Sequence, residues 1–287
     1  MKCRHCDRKL NNVFIDLGNS PPSNSYLTIK TIKKMEKWYP LKILLCTNCW
    51  LVQTEDFVGV EEMFSKDYAY FSSFSESWLN HARVYMDTMI GRFELSSKSN
   101  VVEVAANDGY LLQFAQGNKI PCYGIEPTHS TALAAKKKGI EMIEDFFGVD
   151  LANNLKAQGR QADLMVANNV LAHVPNINDF VQGFSILLNE NGVATFEFPH
   201  LLNLVNKKQF DTIYHEHYSY LSLISVKTIF EANGLSIFDV DELPTHGGSL
   251  RIFAKHNDDY SKFIKNNIEI MKRKEKEFGL DKISTYT

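Results

Sequence analysis

The sequence predicts an α/β fold with a mainly parallel sheet, preceded by a small cysteine-bearing lobe. The stretch VVEVAANDGYLL (residues 101–112) has the pattern of a buried strand, a tight turn of small residues and the start of a helix. Strand and helix patterns then alternate along the chain, which is typical of a parallel sheet. Four of the five cysteines form two CxxC pairs within the first 60 residues.

The two CxxC pairs predict a structural zinc site. They consist of Cys3, Cys6, Cys46 and Cys49. Tetrathiolate zinc is more typical of this spacing in a reducing compartment than disulfides are, with unpaired thiols as the alternative. Because four thiolates leave zinc no open position, we expect it to stabilise the lobe (residues 1–60) and not to catalyse. The 39 residues between the pairs must contain further structure.

Composition excludes several classes of protein. The 287 residues are 44% hydrophobic and 23% charged, as in an ordinary globular protein. No apolar run is long enough for a membrane span, and the charged start does not resemble a signal peptide, so we expect a cytoplasmic protein without a membrane partner. The net charge of −3 argues against nucleic acid as a partner. Residues 1–60 carry nine Lys/Arg against five Asp/Glu, and zinc thiolates would offset about two of the excess positive charges.

The turn after the strand at residues 101–104 is the predicted cofactor site. Ligands of open α/β sheets bind beyond the carboxyl ends of the strands. An acidic turn without GxGxxG suits a cation better than a pyrophosphate, and Glu126, at the end of the next strand (residues 121–126), is placed to bind ribose hydroxyls. These features resemble class I methyltransferases, which bind the sulfonium cofactor S-adenosylmethionine; a turn of this kind without a cofactor is the alternative. The predicted contacts are Glu103, Ala105, Asn107, Asp108, Gly109, Tyr110, Leu111, Glu126, Pro127, Asn168 and Asn169.

The remaining elements follow from hydrophobic periodicity. Helices are predicted at residues 75–93, 130–138, 151–157, 177–188 and 226–232. Strands are predicted at residues 140–143, 163–167 and 192–198, followed by a hairpin of residues 235–240 and 250–255. Residues 258–287 have a Lys/Glu-rich helical pattern without obvious chemistry.

A polar and aromatic cluster, FDTIYHEHYSY (residues 210–220), predicts a polar pocket. It lacks the HExxH spacing of zinc proteases. If the segment is extended, His215 and His217 share one face and Glu216 points to the other. His173 follows a predicted strand at the same edge of the sheet. A structural core or surface cluster is the alternative.

Several motifs resemble the sugar C-methyltransferases of deoxysugar biosynthesis. In order, they are the cysteine pairs, Leu17-Gly18 with Pro21-Pro22, Tyr39-Pro40-Leu41, EVAANDGYLL, YHEHYSYLS and HGGSLR. The resemblance implies a zinc-binding lobe (residues 1–60), a Rossmann-like class I methyltransferase domain (residues 61–257) and a third domain. Because the sequence given ends at Thr287, we expect nearly all of the third domain to be absent, with residues 258–287 as its start. Ala105 departs from the family, which usually has glycine there.

The resemblance also implies the reaction. These enzymes transfer methyl from S-adenosylmethionine to carbon 3 of a thymidine-diphosphate 4-keto-deoxysugar, so the expected partner is a nucleotide sugar. His217 becomes the general base and Glu216 the residue that orients or polarises it. The groups expected around the sugar are Tyr214, His173, Tyr68 and Tyr70.

Three alternatives remain open on sequence grounds. The first is O- or N-methylation of another small metabolite, and the second is a catalytically weak cofactor-binding module or half of a split enzyme. The third, a nucleic-acid methyltransferase, is disfavoured by the weak charge. The oligomeric state stays open, a monomer included.

Overall fold

A computed structural model describes residues 1–23, 26–57 and 70–286. Within these residues the strands form two sheets, one of seven strands in the order β10-β11-β8-β7-β4-β5-β6 and one of four in the order β1-β2-β3-β9. The strands are β1 Asn12–Ser20, β2 Tyr39–Leu45, β3 Val52–Thr54, β4 Val101–Val104, β5 Cys122–Ile125, β6 Glu141–Ile143, β7 Ala162–Asn168, β8 Leu188–Pro199, β9 Ser219–Tyr220, β10 Leu235–Leu243 and β11 Ser249–His256.

Helices precede, connect and follow the strands of the larger sheet. They are α1 Glu76–Phe93, α2 Leu112–Gly117, α3 His129–Lys137, α4 Val149–Ala157, α5 Ile177–Leu187, α6 Leu201–Asn206, α7 Leu223–Ala232 and α8 Asn266–Phe278. In the part of the chain that the structure describes, no helix is long and apolar enough to cross a membrane.

The larger sheet confirms the predicted mainly parallel α/β architecture. Strand β4 lies between β5 and β7, pairs with both in parallel, and is buried at every residue. Such burial on both faces explains why three of its four residues are valine. The carboxyl ends of β4, β5, β7 and β8 therefore meet at one edge of the sheet. Antiparallel β10 and β11 complete the sheet beside β8, as the predicted hairpin requires.

The smaller sheet belongs to the N-terminal lobe but includes a strand from the larger part of the chain. Strands β1 and β2 occupy the gap between the two cysteine pairs, where additional structure was expected. Strand β3 pairs on one side with β2 and on the other with β9. The segment that contains the histidine cluster is therefore hydrogen-bonded directly to the lobe.

The extended conformation considered for the histidine cluster is wrong. A 3-10 helix covers Phe210–Thr212, and a turn follows in which the His217 N–H donates to the Tyr214 carbonyl at 3.0 Å. Alternation of side chains applies only to extended backbone, so the turn removes the reason for Glu216 and His217 to point apart. Both residues face the same cavity.

Candidate active site

A cavity of about 900 Å³ opens at the carboxyl edge of the larger sheet. Five carboxylates line it, and no Lys or Arg is among its lining residues in the described part of the chain. This charge balance favours a cationic ligand, because carboxylates attract a positive charge in a partly desolvated cleft. The acidic lining residues are Glu126, Asp145, Asp179, Asp211 and Glu216.

The turn after β4 forms one wall of the cavity in a constrained backbone conformation. Ala105 and Asn107 have φ values of 57° and 49°, in the left-handed region that is costly for residues with a Cβ. The Asn107 side chain ties the turn to the chain ahead of α1, accepting from Ser72 N at 2.9 Å and donating to the Tyr70 carbonyl at 3.1 Å. The turn is thus held in one shape beside the cavity.

Glu126 lines the cavity and also braces this turn. Its carboxylate accepts from Asn107 N at 2.9 Å and from Thr128 N at 2.9 Å. Burial raises the pKa of Glu126, while the Thr128 and Asn107 hydrogen bonds act in the opposite direction. The carboxylate is therefore fixed at the end of β5, where the sequence predicted it.

Seven of the predicted cofactor contacts line the cavity: Ala105, Asn107, Tyr110, Glu126, Pro127, Asn168 and Asn169. The other four, Glu103, Asp108, Gly109 and Leu111, are not among its lining residues. Asp108 instead accepts from Lys138 Nζ, and a Cβ on Gly109 would lie 2.4 Å from Ile140 Cδ1. These two residues therefore stabilise the turn through contacts outside the cavity lining.

His217 is the most constrained of the predicted catalytic residues. Its Nδ1 lies 2.9 Å from the Thr212 carbonyl, which can only accept, so Nδ1 carries the proton. Nε2 is then the acceptor in neutral imidazole, and the Tyr214 hydroxyl donates to it at 2.9 Å. Burial lowers the pKa of His217 to about 3, with a smaller contribution from His173. The imidazole is therefore neutral, and its Nε2 lone pair is paired with Tyr214, a second residue of the cavity wall.

Three further predicted catalytic residues, His173, Tyr214 and Tyr70, line the same cavity as His217. The His173 ring lies 4.7 Å from that of His217, and burial lowers the pKa of His173 to about 4. Tyr214 and Tyr70 line the cavity with them. Tyr68 lies outside the described residues.

Glu216 and His215 have contacts that the sequence did not indicate. Glu216 accepts from the Ser23 hydroxyl at 3.1 Å, and its charge raises the pKa of Tyr214 in addition to the larger effect of burial. His215 Nε2 lies 3.2 Å from the Pro40 carbonyl in the lobe, and His215 is not among the cavity residues. The described contacts thus place Glu216 beside Tyr214, whereas Thr212 holds the imidazole of His217.

Trp78 and His246 are among the cavity residues that sequence reasoning missed. Trp78 was assigned only to the apolar face of α1. His246 belongs to HGGSLR, which was noted as a motif without a role. The HGGSLR motif was the available signal for His246. The contact between Trp78 of α1 and the turn at His246 depends on tertiary structure and could not be predicted from the sequence.

The four lobe cysteines meet as predicted. Their Sγ atoms all lie within 4.8 Å of one another, with Cys3 to Cys49 at 3.6 Å and Cys6 to Cys46 at 3.5 Å. Tetrahedral zinc with bonds of about 2.3 Å places sulfurs about 3.8 Å apart, so the cluster fits the ion.

The two halves of the cluster have the same backbone hydrogen bonds. Cys3 N donates to the Arg8 carbonyl, and Cys46 N to that of Leu51. Asp7 and Trp50, each directly after a CxxC, have φ values of 57° and 60°. Two matching turns present four thiolates to one point, which is the arrangement that a closed structural site requires.

The lobe also contacts the loops that contain the histidines. The Thr54 hydroxyl donates to the His217 carbonyl, and Thr54 N donates to the Tyr218 carbonyl at 3.1 Å. Arg4, inside the first CxxC, donates to the Pro175 carbonyl at 2.8 Å and the Thr54 carbonyl at 2.9 Å. The zinc-binding turn is thus hydrogen-bonded, directly or through one residue, to both loops.

Comparison with protein families divides the chain into three parts. Residues 3–64 match a family model described as "Putative zinc binding domain", residues 78–240 match "Methyltransferase domain", and residues 244–287 match "C-methyltransferase C-terminal domain". The third match corrects the expectation that nearly all of the third domain is absent. That expectation assigned β11 and the preceding turn to the methyltransferase sheet alone.

A curated relative matches most of the chain. The chain is 31% identical over 253 residues to C-methyltransferase NovU of Streptomyces niveus. The match covers 88% of this chain and 60% of NovU, so the chain spans less than two thirds of that relative's length.

Solved structures support the fold. One is an S-adenosylmethionine-dependent methyltransferase from Clostridium acetobutylicum, with TM-score 0.51 and 12% identity over 62% of this chain and 92% of that one. Another is the PH0226 protein of Pyrococcus horikoshii, with TM-score 0.51 and 9% identity over 66% and 95%. At these identities the likeness concerns the fold, and the family assignment depends on the sequence matches. The chain belongs to the S-adenosylmethionine-dependent methyltransferases, and along its length it matches, in order, a zinc-binding domain, a methyltransferase domain and a C-methyltransferase C-terminal domain.

Proposed function

We propose that this protein transfers a methyl group from S-adenosylmethionine to a carbon next to the ketone of a nucleotide-linked 4-keto-deoxysugar. The observation that carries the proposal is the state of His217, a buried neutral imidazole in the cavity wall whose protonated Nδ1 is fixed by Thr212 and whose Nε2 accepts a hydrogen bond from Tyr214. Removal of a proton from carbon needs such a base within reach of the substrate.

The residues of the cavity fit the cofactor. Glu126 would bind ribose hydroxyls, and the backbone of the turn at Ala105 and Asn107 would lie against the ligand. The Asn169 side-chain oxygen is buried and has no hydrogen-bond partner among the described residues, so it is available to a ligand donor. The acidic lining offsets a sulfonium charge. When bound, S-adenosylmethionine supplies an electrophilic methyl group.

The protein groups then have the following roles. His217 Nε2 takes the proton from the carbon beside the ketone, and Tyr214, which hydrogen-bonds to that nitrogen, keeps it oriented until the substrate arrives. The low pKa of the buried imidazole has to rise for efficient proton transfer, and the negative charge that develops on the substrate provides this change. Positioning of the carbanion beside the methyl group supplies much of the remaining rate enhancement.

The charge of the cavity also limits which part of the substrate enters it. A diphosphate is unfavourable among carboxylates without Lys or Arg among the described lining residues. We therefore place the sugar inside the cavity and the nucleotide diphosphate at its mouth.

The test is mass spectrometry of a thymidine-diphosphate 4-keto-6-deoxysugar incubated in D2O with and without S-adenosylmethionine. We expect deuterium uptake at carbon, and a gain of one methyl group only with the cofactor. His217→Asn should abolish both while cofactor binding by calorimetry is retained. His129→Asn, at an exposed histidine on α3, is the matched control.

O-methylation is the second candidate, because it uses the same kind of base. It predicts methyl gain without deuterium uptake at carbon. Uptake that persists in His217→Asn would assign the base elsewhere.

A further inference from the structure

A second histidine faces the reacting region of the cavity from the C-terminal domain. His246 lines the same cavity as His217. Its ring nitrogens make no hydrogen bond to any residue that the structure describes. Two neighbouring groups already have partners, since Tyr214 donates to His217 and His173 hydrogen-bonds to the Glu216 backbone.

The turn that presents His246 is fixed from several directions. His246 has φ 49° and ψ 40°, and Gly247 and Gly248 have φ values of 78° and 121°. The Gly247 carbonyl accepts from Lys207 Nζ at 2.7 Å, and the Gly248 carbonyl accepts from His200 N at 3.0 Å. Strained backbone held by its surroundings is characteristic of functional positions.

A buried ionic network supports the same turn from beneath. Glu197, at the end of β8, accepts from the Thr245 hydroxyl at 2.9 Å and from Arg251 at 2.6 Å. It also lies 2.9 Å from His81 Nε2. Glu197 is fully buried, so a change in this network would be transmitted to the turn.

Trp78 completes the support of the His246 ring. The indole stacks on His81 at 4.8 Å, and the His246 ring meets it edge to face at 5.2 Å. The imidazole is thus positioned by aromatic contact while its nitrogens remain available to a ligand.

We propose that His246 is a catalytic residue that donates a hydrogen bond to the ketone oxygen of the acceptor while His217 removes the proton from the adjacent carbon. This inference depends on the proposed function. The C–H electron pair becomes a C=C bond, the carbonyl π pair moves to the oxygen, and the N–H of His246 stabilises that charge. When the C=O bond re-forms, the carbon bonds to the methyl group and the C–S bond breaks with its pair on sulfur.

Because the backbone of His246 is left-handed, glycine is a suitable replacement for testing its role. Glycine adopts this conformation without strain, so His246→Gly removes the ring without a steric penalty. Lys208→Gly is the control, because Lys208 also has a left-handed φ, 54°, is exposed, and is not among the cavity residues. Loss of one hydrogen-bond donor to a developing oxyanion lowers turnover roughly 100-fold or more.

We expect His246→Gly to lower deuterium exchange and methyl transfer together by roughly 100-fold, with cofactor affinity and thermal midpoint unchanged. Added imidazole should restore part of the exchange, which a merely structural defect would not allow. Exchange at the wild-type rate in His246→Gly would overturn the inference, as would loss of methyl transfer alone. If the wild-type protein exchanges and His217→Asn does not, the proposed function stands whatever His246 does. If the wild-type protein does not exchange, both fall.

Discussion

Replacing Arg4 with methionine should destabilise the protein and slow the proposed reaction without removing zinc. The side chain lies between the lobe and both histidine loops, donating to the carbonyls of Pro175 and Thr54. It is 4% exposed, so the two carbonyls lose a partner that water does not readily replace. Methionine keeps the length and apolar contacts of the side chain while removing its donors.

The magnitude follows from those contacts. A buried polar group left unpaired costs about 1–3 kcal/mol, so two carbonyls together cost about 2–6 kcal/mol. The ion pair with Asp56 adds little, because Asp56 is 49% exposed and such pairs contribute at most about 1 kcal/mol. The Arg4 contact with the Tyr218 ring, 5.2 Å from the centroid, is of similar size.

Three measurements on Arg4→Met test this reasoning. Urea unfolding should show the lower stability, metal analysis should show unchanged zinc content, and deuterium exchange should be slower because both loops lose an anchor. Arg8→Met, at an exposed arginine just after the first cysteine pair, should match the wild type in all three. A variant at Arg4 with wild-type stability and exchange would refute the role of the lobe in holding the loops.

Two further predictions concern the cavity. Stability should fall as pH decreases from about 6.5 towards 4. The pKa values of His173 and His217 are lowered to about 4 and about 3, so the unfolded chain binds more protons than the folded chain in this range. Thermal midpoints should therefore decline less steeply with pH in His173→Gln, and a decline equal to that of the wild type would contradict the assignment. Ala105→Gly should raise the thermal midpoint slightly, since relief of about 1–2 kcal/mol of left-handed strain exceeds the roughly 0.5–1 kcal/mol entropic cost of glycine. Asn107→Gly should instead lower it through loss of the Ser72 and Tyr70 hydrogen bonds, and a gain in both variants would mean that those bonds contribute nothing.

The parallel core could be predicted because its signals are local. The alternation of apolar strands with one-sided helices fixes burial, and the predicted boundaries of α1 differ from the structure by one residue, whereas those of β8 differ by up to four. The position of His173 and Glu126 followed from the rule that ligands bind at carboxyl ends. The cysteine spacing was likewise sufficient to predict the cluster.

The details of the site could not be predicted because they depend on contacts between distant segments. The turn at His217 is stabilised by Thr54, and β9 by its pairing with β3, both far away in sequence. The exposure of His246 to the cavity depends on Trp78. In the turn after β4, local pattern could not show that Gly109 serves close packing against Ile140 instead of contact with a ligand.

The pairing of β3 with β9 means that the lobe cannot be treated as a detachable module. Cutting the chain after β3 would leave that strand without β9 and with an open edge, and unpaired edges promote association between chains. The core would lose the hydrogen bonds that Thr54 makes with the backbone at His217 and Tyr218. A chimaera that exchanges the lobe with that of a relative should therefore exchange residues 214–220 as well, so that the lobe sheet and the base come from the same protein.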